Sequence, residues 1–311
     1  CNDCGWKSEC PHCSAYRVFH KLDRTLRCHH CGFTQPVPRA CPSCGNLDIS
    51  PLGRGTEQLE EHLAELLADV RRPDGAPIRI GRIDADSTRL KGELERQLAE
   101  VHAGAVDVLV GTQMIAKGHD FRRVTLVAAL NPDGALFSSD FRAPERLFSL
   151  LMQAAGRAGR DATMQLVSPC EMWVQSFHPM HPLFEALKQH DYPAFAAQQL
   201  QERAQATLPP FSFQALVRAE ARSQEAAQGF LNAAREAGAA LADELLVDLY
   251  PAVPMTIQRV ANIERAQMLI ECTSRKALQH FLAQWQNDLH TLRNAHRQVI
   301  RWAVDVDPLA I

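Results

Sequence analysis

Long apolar runs are missing from this 311-residue chain. Nothing in it approaches the roughly 18 consecutive apolar residues of a membrane span, and no export signal opens it. A strong net charge is also missing: the formal value is −3. That removes any global basic signature for nucleic acid and leaves only a local strip available for such binding. No G-x4-G-K-[ST] phosphate loop occurs anywhere. Cysteine is scarce after residue 44, where only Cys170 and Cys272 follow. A disulfide scaffold would spread its cysteines along a short exported chain, so a cytosolic metal site is the better account. What remains is an ordinary composition, 46% hydrophobic and 22% charged, with length for two or three domains. The chain opens at Cys1, already inside a motif, from which we expect a piece of a longer protein.

Eight of the ten cysteines form four C-x2-C pairs: Cys1/Cys4, Cys10/Cys13, Cys28/Cys31 and Cys41/Cys44. Four such pairs suffice for two closed tetrahedral zinc sites. Three pairings are possible. The gap between Cys13 and Cys28 suits a ribbon hairpin, which favours Cys10, Cys13, Cys28 and Cys31 around one ion. Cys1, Cys4, Cys41 and Cys44 then close an outer site. Gly5, Gly32 and Gly45 follow three of the pairs, where a turn around a metal requires positive φ. With no open coordination position, both ions are expected to be structural. His12, His29 and His30 are expected to face solvent or DNA rather than to compete as ligands. The hairpin "RVFHKLDRTLR" gathers positive charge beside Phe19 and His20, either as a solvated face or as a nucleic-acid or protein contact.

Beyond Pro51 the pattern changes to helices alternating with short apolar strands. "TEQLEEHLAELLADV" carries a helical stripe of Leu59, Leu63, Leu66 and Leu67 after a "GRGT" turn. "IRIGRI", "VDVLVG", "VTLVAAL" and "MQLV" read as strands, and "TRLKGELERQLAEVHAG" reads as a helix. This alternation predicts a parallel sheet with helices on both faces, with ligands gathering beyond the carboxyl ends of the strands. Two stretches sit at those ends. In "GTQMIAKGHDF", Thr112 can cap a short helix that Gly118 ends. In the second, a helix opening near Pro144 places Leu147, Leu150, Leu151, Ala154 and Ala155 on one face. It leads into "QAAGRAGR", whose Gln153, Arg157 and Arg160 then project from a rigid support.

The stretches "GTQMIAKGHDF" and "QAAGRAGR" resemble the fifth and sixth motifs of the second RecA-like lobe of superfamily 2 helicases. Together with the eight-cysteine insertion, "LGRGTEQLEEHL" and "LFSSDFRAPER", they resemble one family closely, that of primosomal protein N′ (PriA), the bacterial replication-restart DNA helicases. The resemblance covers nearly the whole chain. It implies an α/β fold: a double zinc-ribbon module over residues 1–50 inserted in a RecA-like lobe over 51–180. A helical connector over 181–210 and a ferredoxin-like, S10-like α+β domain over 211–311 would follow. It also implies that Arg157 and Arg160 contact the β/γ-phosphates, one of them as an arginine finger, and that Gln153 positions the phosphate or the attacking water. Gly156 and Gly159 would let that turn approach the nucleotide, with Gly118 and Asp120 nearby. Gly111 and Thr112 would touch a DNA phosphate, with Gln113 and Lys117 alongside. "SSDFRAPER" contains Asp140, Phe141, Arg142, Glu145 and Arg146, and a buried Arg–Asp network fixing the loop is the simplest reading of it.

The implied function is that of the carboxy-terminal part of an ATP-dependent 3′→5′ DNA helicase in the bacterial cytoplasm, at the nucleoid. It would act on stalled or branched forks, and its cofactors would be two Zn²⁺, with ATP and Mg²⁺ in the full-length protein. Its partners would be branched and single-stranded DNA, single-strand binding protein, primosome proteins and the replicative-helicase loader, with no membrane. With no phosphate loop and no D-E-x-H box, this chain alone is expected to be inactive as an ATPase. The rival reading is a non-enzymatic zinc-ribbon scaffold derived from a truncated helicase.

The last third reads from its residues as β-α-β-β-α-β, a ferredoxin-like sandwich. Strands are expected at "FQALVRAEA", near 247–250 and 257–260, at "QMLIEC" and at "QVIRWAVDVDP", with helices over 224–246 and 275–292. "RVANIERAQMLI" departs from the family's more basic, glycine-containing turn, which puts DNA contact by Arg259 and Arg265 in doubt. Trp302 is expected in the core.

Overall fold

The computed structural model describes residues 1–20, 23–50, 55–84, 87–88, 92–116, 121, 123–138, 140–160, 169–309 and 311. The expected strand "MQLV", and the site residues Lys117, Gly118 and Asp120, lie outside the described residues. The chain divides into two compact units, residues 1–51 with 200–311, and residues 52–199.

The cysteine module is a three-stranded antiparallel sheet, β1 (Val18–His20), β2 (Thr25–Arg27) and β3 (Thr34–Pro36), in that order. The β1–β2 hairpin occupies the gap between Cys13 and Cys28. Its charges are partly engaged within the module: Arg27 pairs with Asp23, and Arg17 donates to Gln35 at 2.6 Å.

In the second unit, α1 (Thr56–Leu66) leads to β4 (Ile80–Ile83), α2 (Glu93–His102), β5 (Val108–Gly111) and the short α3 (Gln113–Ala116). Then follow β6 (Leu126–Leu130), α4 (Asp133–Leu136), α5 (Ala143–Ala155), β7 (Glu171–Gln175), α6 (Pro182–Lys188) and α7 (Tyr192–Gln205), which crosses the unit boundary. Among the described residues the parallel strands form two pairs, β4 with β5 and β6 with β7, rather than one sheet. Asp84, 6% exposed, ties α1 to the end of β4. It accepts from the Thr56 hydroxyl, from Arg82 at 2.8 Å and from the Ser87 amide at 2.7 Å.

The apolar stripes differ in register from the sequence reading. On α1, Leu66 is 67% exposed rather than packed. On α5 the buried residues are Ala143, Leu147, Phe148 and Leu151. Phe148 takes the place expected for Leu150 because it stacks on Phe195, with centroids 4.1 Å apart and planes 5° apart. Leu183, Phe184 and Leu187 of α6 join this core, so the start of the expected connector is part of the packing here.

The carboxy-terminal domain runs β8 (Phe213–Ala221), α8 (Gln224–Leu245), β9 (Asp248–Leu249), β10 (Val253–Val260), β11 (Ile263–Cys272), α9 (Arg275–Ala295) and β12 (Val299–Val306). The sheet order is β10-β11-β8-β12, with every neighbouring pair antiparallel and β9 added beside β11. That is the ferredoxin-like arrangement. Ser223 and Ser274 cap the two helices, accepting from the Ala226 and Ala277 amides. Trp285 is fully buried and donates to the Ala234 carbonyl at 2.9 Å. Trp302 packs on the same core, its ring 5.1 Å from that of His290.

Candidate functional site

Two groups of four sulfurs come together, Cys1, Cys4, Cys41 and Cys44 in one and Cys10, Cys13, Cys28 and Cys31 in the other, each group within 4.8 Å. Individual sulfur–sulfur separations are 3.7 Å for Cys1–Cys44, 3.5 Å for Cys4–Cys41 and 3.7 Å for Cys10–Cys31. A tetrahedral ion with Zn–S bonds of about 2.3 Å has sulfur–sulfur edges of about 3.8 Å, so the donor sets fit. Gly5, Gly32 and Gly45 have φ of 72°, 76° and 75°. Each amide returns to the carbonyl of the first cysteine of its pair, at 3.1, 2.8 and 2.8 Å. The amides of His12 and Ser43 donate to the sulfurs of Cys10 and Cys41, both at 3.4 Å.

Ionisation within each cluster is uneven. Burial alone would raise the Cys28 thiol, but N–H donation from Cys31 and His30 outweighs it and draws its pKa down to about 7. Burial likewise opposes ionisation of Cys41, where the Cys44 and Ser43 amides prevail and bring it to about 7. Cys13 goes the other way, pushed up to about 12 chiefly by burial. At Cys44 the Asn46 amide lowers the value, yet Cys4 and burial carry it up to about 11. Cys28 and Cys41 thus ionise more readily than Cys13 and Cys44, and a divalent cation among the sulfurs would stabilise thiolate charge.

The histidines do not join these sets, which contain cysteines only. His12 is half-buried, and its Nδ1 lies 3.0 Å from the Asn262 side-chain nitrogen. His29 Nε2 lies 3.2 Å from His20 Nε2.

In the second unit, α5 stops at Ala155. Gln153 therefore sits on its last turn, donating to Ser149 at 3.2 Å. Arg157 and Arg160 follow on a turn, as Gly156 and Gly159 led us to expect. That turn is anchored at two points. Arg157 donates to the Ala116 carbonyl through Nε at 3.2 Å and Nη2 at 2.8 Å. Gly159, with φ of 74°, donates its amide to the Val124 carbonyl at 2.9 Å. The turn is thereby joined to the end of α3 and to the approach to β6. Arg157 is half-buried by this contact, while Arg160 is exposed, its Nε on the Gly156 carbonyl at 2.8 Å. Thr112 and Gln113 are exposed at the carboxyl end of β5. Gly111 is held there by packing, since a Cβ would lie 2.6 Å from the Ile83 carbonyl.

Residues 140–146 of the "SSDFRAPER" stretch lead into and open α5, which starts at Ala143. Asp140 accepts from the Arg142 amide at 2.9 Å and pairs with the Arg146 guanidinium. Arg142 lies 5.1 Å from the Phe141 ring centroid. The Arg–Asp network expected here is present, on a half-exposed surface rather than a buried one. Among carboxy-terminal residues, Arg259 pairs with Glu264 at 4.0 Å and Arg265 with Glu220 at 3.7 Å.

Sequence reasoning missed the contacts of Ala116, Val124, His12 and Asn262. The carbonyls of Ala116 and Val124 carry no sequence signal. Ser14 was a legible hint, because it stands where the other three pairs have glycine.

Three family descriptions match the chain. Residues 10–36 match the PriA DNA helicase Cys-rich region domain, 54–162 the helicase conserved C-terminal domain, and 204–309 the primosomal protein N C-terminal domain. The Haemophilus influenzae replication restart protein PriA is 41% identical over 308 residues, covering 99% of this chain and 40% of that protein. The Bacillus subtilis protein of that name is 39% identical over 217 residues, 70% of this chain and 25% of the relative. The Synechocystis protein is 31% identical over 318 residues, 100% of this chain and 35% of the relative. The chain thus spans well under half the length of these relatives. It belongs to the PriA family of replication restart proteins, matching their cysteine-rich region, helicase C-terminal domain and carboxy-terminal domain.

Proposed function

We propose that this chain is the carboxy-terminal part of an ATP-dependent 3′→5′ DNA helicase that recognises stalled or branched replication forks and starts primosome assembly. The observation that carries this reading is the doubly anchored turn. Arg157 binds the Ala116 carbonyl at the end of the fifth-motif helix, and so joins the segment assigned to DNA with the segment assigned to nucleotide. Gly111, Thr112 and Gln113 are the DNA side of that joint, and Gln153, Gly156 and Arg160 its nucleotide side. Lys117 is assigned to DNA with the first group and Gly118 and Asp120 to nucleotide with the second, and these three lie outside the described residues. The exposed Arg160 is the better placed of the two arginines to reach a phosphate on a facing lobe, and Arg157 is the link between motifs.

The cysteine clusters hold two structural Zn²⁺. Single-strand binding protein, primosome proteins and the loader of the replicative helicase are the partners in this reading. The protein acts in the cytoplasm, and among the described residues no helix is long and apolar enough to cross a membrane. ATP and Mg²⁺ are bound only with a phosphate-loop lobe, so this chain alone hydrolyses no ATP.

Arg160→Ala in a complete PriA protein tests the assignment. Loss of an arginine finger lowers kcat by about 10³-fold or more, so DNA-stimulated hydrolysis is lost while fork binding persists. Hydrolysis near the parental rate sinks the finger assignment. DNA-stimulated hydrolysis by the present chain sinks the two-lobe reading.

A further inference from the structure

Three of the four C-x2-C turns are completed locally by a glycine amide. The fourth, Cys10–Cys13, has Ser14 in that place, and it is completed from about 250 residues away. The Ser14 amide donates to the Arg259 carbonyl at 2.9 Å, and the Asn262 amide donates to the His12 carbonyl at 2.9 Å. The Ala261 amide donates to the sulfur of Cys13 at 3.3 Å. The Asn262 side chain meets His12 Nδ1. Val260 packs against the apolar cluster of Cys10, Cys13 and Cys28. All of these residues belong to one compact unit.

The geometry points to the β10–β11 turn as the outer half of the inner metal site: residues 260–262 hold the Cys10–Cys13 turn and steady the Cys13 thiolate, so inner-metal retention and hairpin docking depend on each other. The turn's own backbone supports this. Ala261 and Asn262 both have positive φ, 51° and 62°, as a two-residue primed turn requires. Asn tolerates that region, but alanine there is strained. The bond from its amide to Cys13 is what that conformation secures. An N–H donor to a bound thiolate stabilises its charge, and such outer contacts fix ligand orientation. The outer cluster has no counterpart among the described residues. Its supports are local, such as Asn2 on Asp48 at 2.9 Å and Ser50 on Asn2 at 3.2 Å.

This rests on zinc occupying the inner cluster, which metal analysis of the parent chain decides separately; less than one zinc per inner cluster overturns both. Zinc release from the 311-residue chain into a coloured chelator is followed for the parent, Asn262→Gly and Val260→Asp. Glycine keeps the positive-φ turn and removes only the His12 contact. Aspartate places a like charge against the thiolates. Inner-site release is expected to quicken about tenfold or more in Val260→Asp and less in Asn262→Gly, with outer-site release unchanged. In the reverse direction, stripping metal from the parent is expected to expose the Ala261 and Asn262 amides to hydrogen exchange while β8 and β11 stay protected. Parental inner release in both variants, or protection at Ala261 that survives metal removal, overturns the proposal. A variant that loses the far-ultraviolet signal of α8 and α9 is replaced by His12→Ala, which removes the same contact from the other side.

Discussion

In the carboxy-terminal domain, Ala215, Val217, Ala219 and Ala221 of β8 are fully shielded from solvent, beneath Phe230, Phe281 and Trp285. In the lobe, β6 and β7 alternate, and their open face leaves Leu126, Leu130 and Trp173 at 46%, 50% and 60% exposure. Parallel strands are ordinarily covered on both faces. The difference separates two kinds of stability. The terminal domain closes its own core, while the lobe holds its motif residues through a few specific bonds, such as those of Arg157 and Gly159. Segments that bind and move are drawn from the less stable parts of a fold. The elements assigned to nucleotide and DNA sit in such a part.

The largest effect that sharpens this contrast is expected from Trp285→Ala. It removes a fully buried ring and leaves the Ala234 carbonyl without its donor. The cost is about 3–5 kcal/mol, read as a lower urea midpoint for the α8 and α9 signal. The lobe tryptophan Trp173, exposed on β7, should cost under about 0.5 kcal/mol when replaced by alanine. Equal costs at the two tryptophans would break the comparison.

A smaller effect is expected at Gly238 on α8. A Cβ there would lie 2.6 Å from Trp285 Nε1 and 2.9 Å from its Cδ1. Glycine-to-alanine inside a helix normally gains about 1 kcal/mol. Here the ring cannot retreat without losing its bond to Ala234, so overpacking of about 1–3 kcal/mol wins. Gly238→Ala is therefore expected to lower the urea midpoint. A rise would mean that Trp285 is free to move and that the core is less closed than its burial implies.

Much of this was legible in the sequence, for reasons that differ by region. The cysteine spacing and the short apolar strands are local signals, and local chemistry satisfies them. Phe148 was misplaced because its partner, Phe195, lies on a helix that the periodicity of α5 does not reveal. The arginine turn was legible from Gly156 and Gly159, but its two anchors were not. Gly159 takes a left-handed conformation there and donates its amide to the Val124 carbonyl, a partner that sequence does not reveal. The docking of residues 260–262 on the inner cysteines was legible only as a hint. A contact between backbone groups so far apart in sequence leaves one trace, the serine where a glycine was due.

The smallest expected effect concerns Asp133, at the carboxyl end of β6. Its carboxylate accepts from the Ser176 hydroxyl and from the Phe177 amide, the latter at 2.9 Å. The Ser176 bond, then the Phe177 bond, hold its pKa below the usual aspartate value. A depressed folded-state pKa favours the folded state above the unfolded value of about 3.9, and that contribution is lost as pH falls through the folded value. Asp133→Asn should therefore weaken the lobe at neutral pH and narrow its deficit below about pH 4. The terminal domain, which makes no use of this carboxylate among the described contacts, should be unaffected throughout. The Phe177 amide proton, followed by NMR from pH 6 downward, reports the titration directly. A midpoint at or above about 3.9 would show that these two bonds do not hold the β6–β7 end together, and that the lobe is looser than the comparison requires.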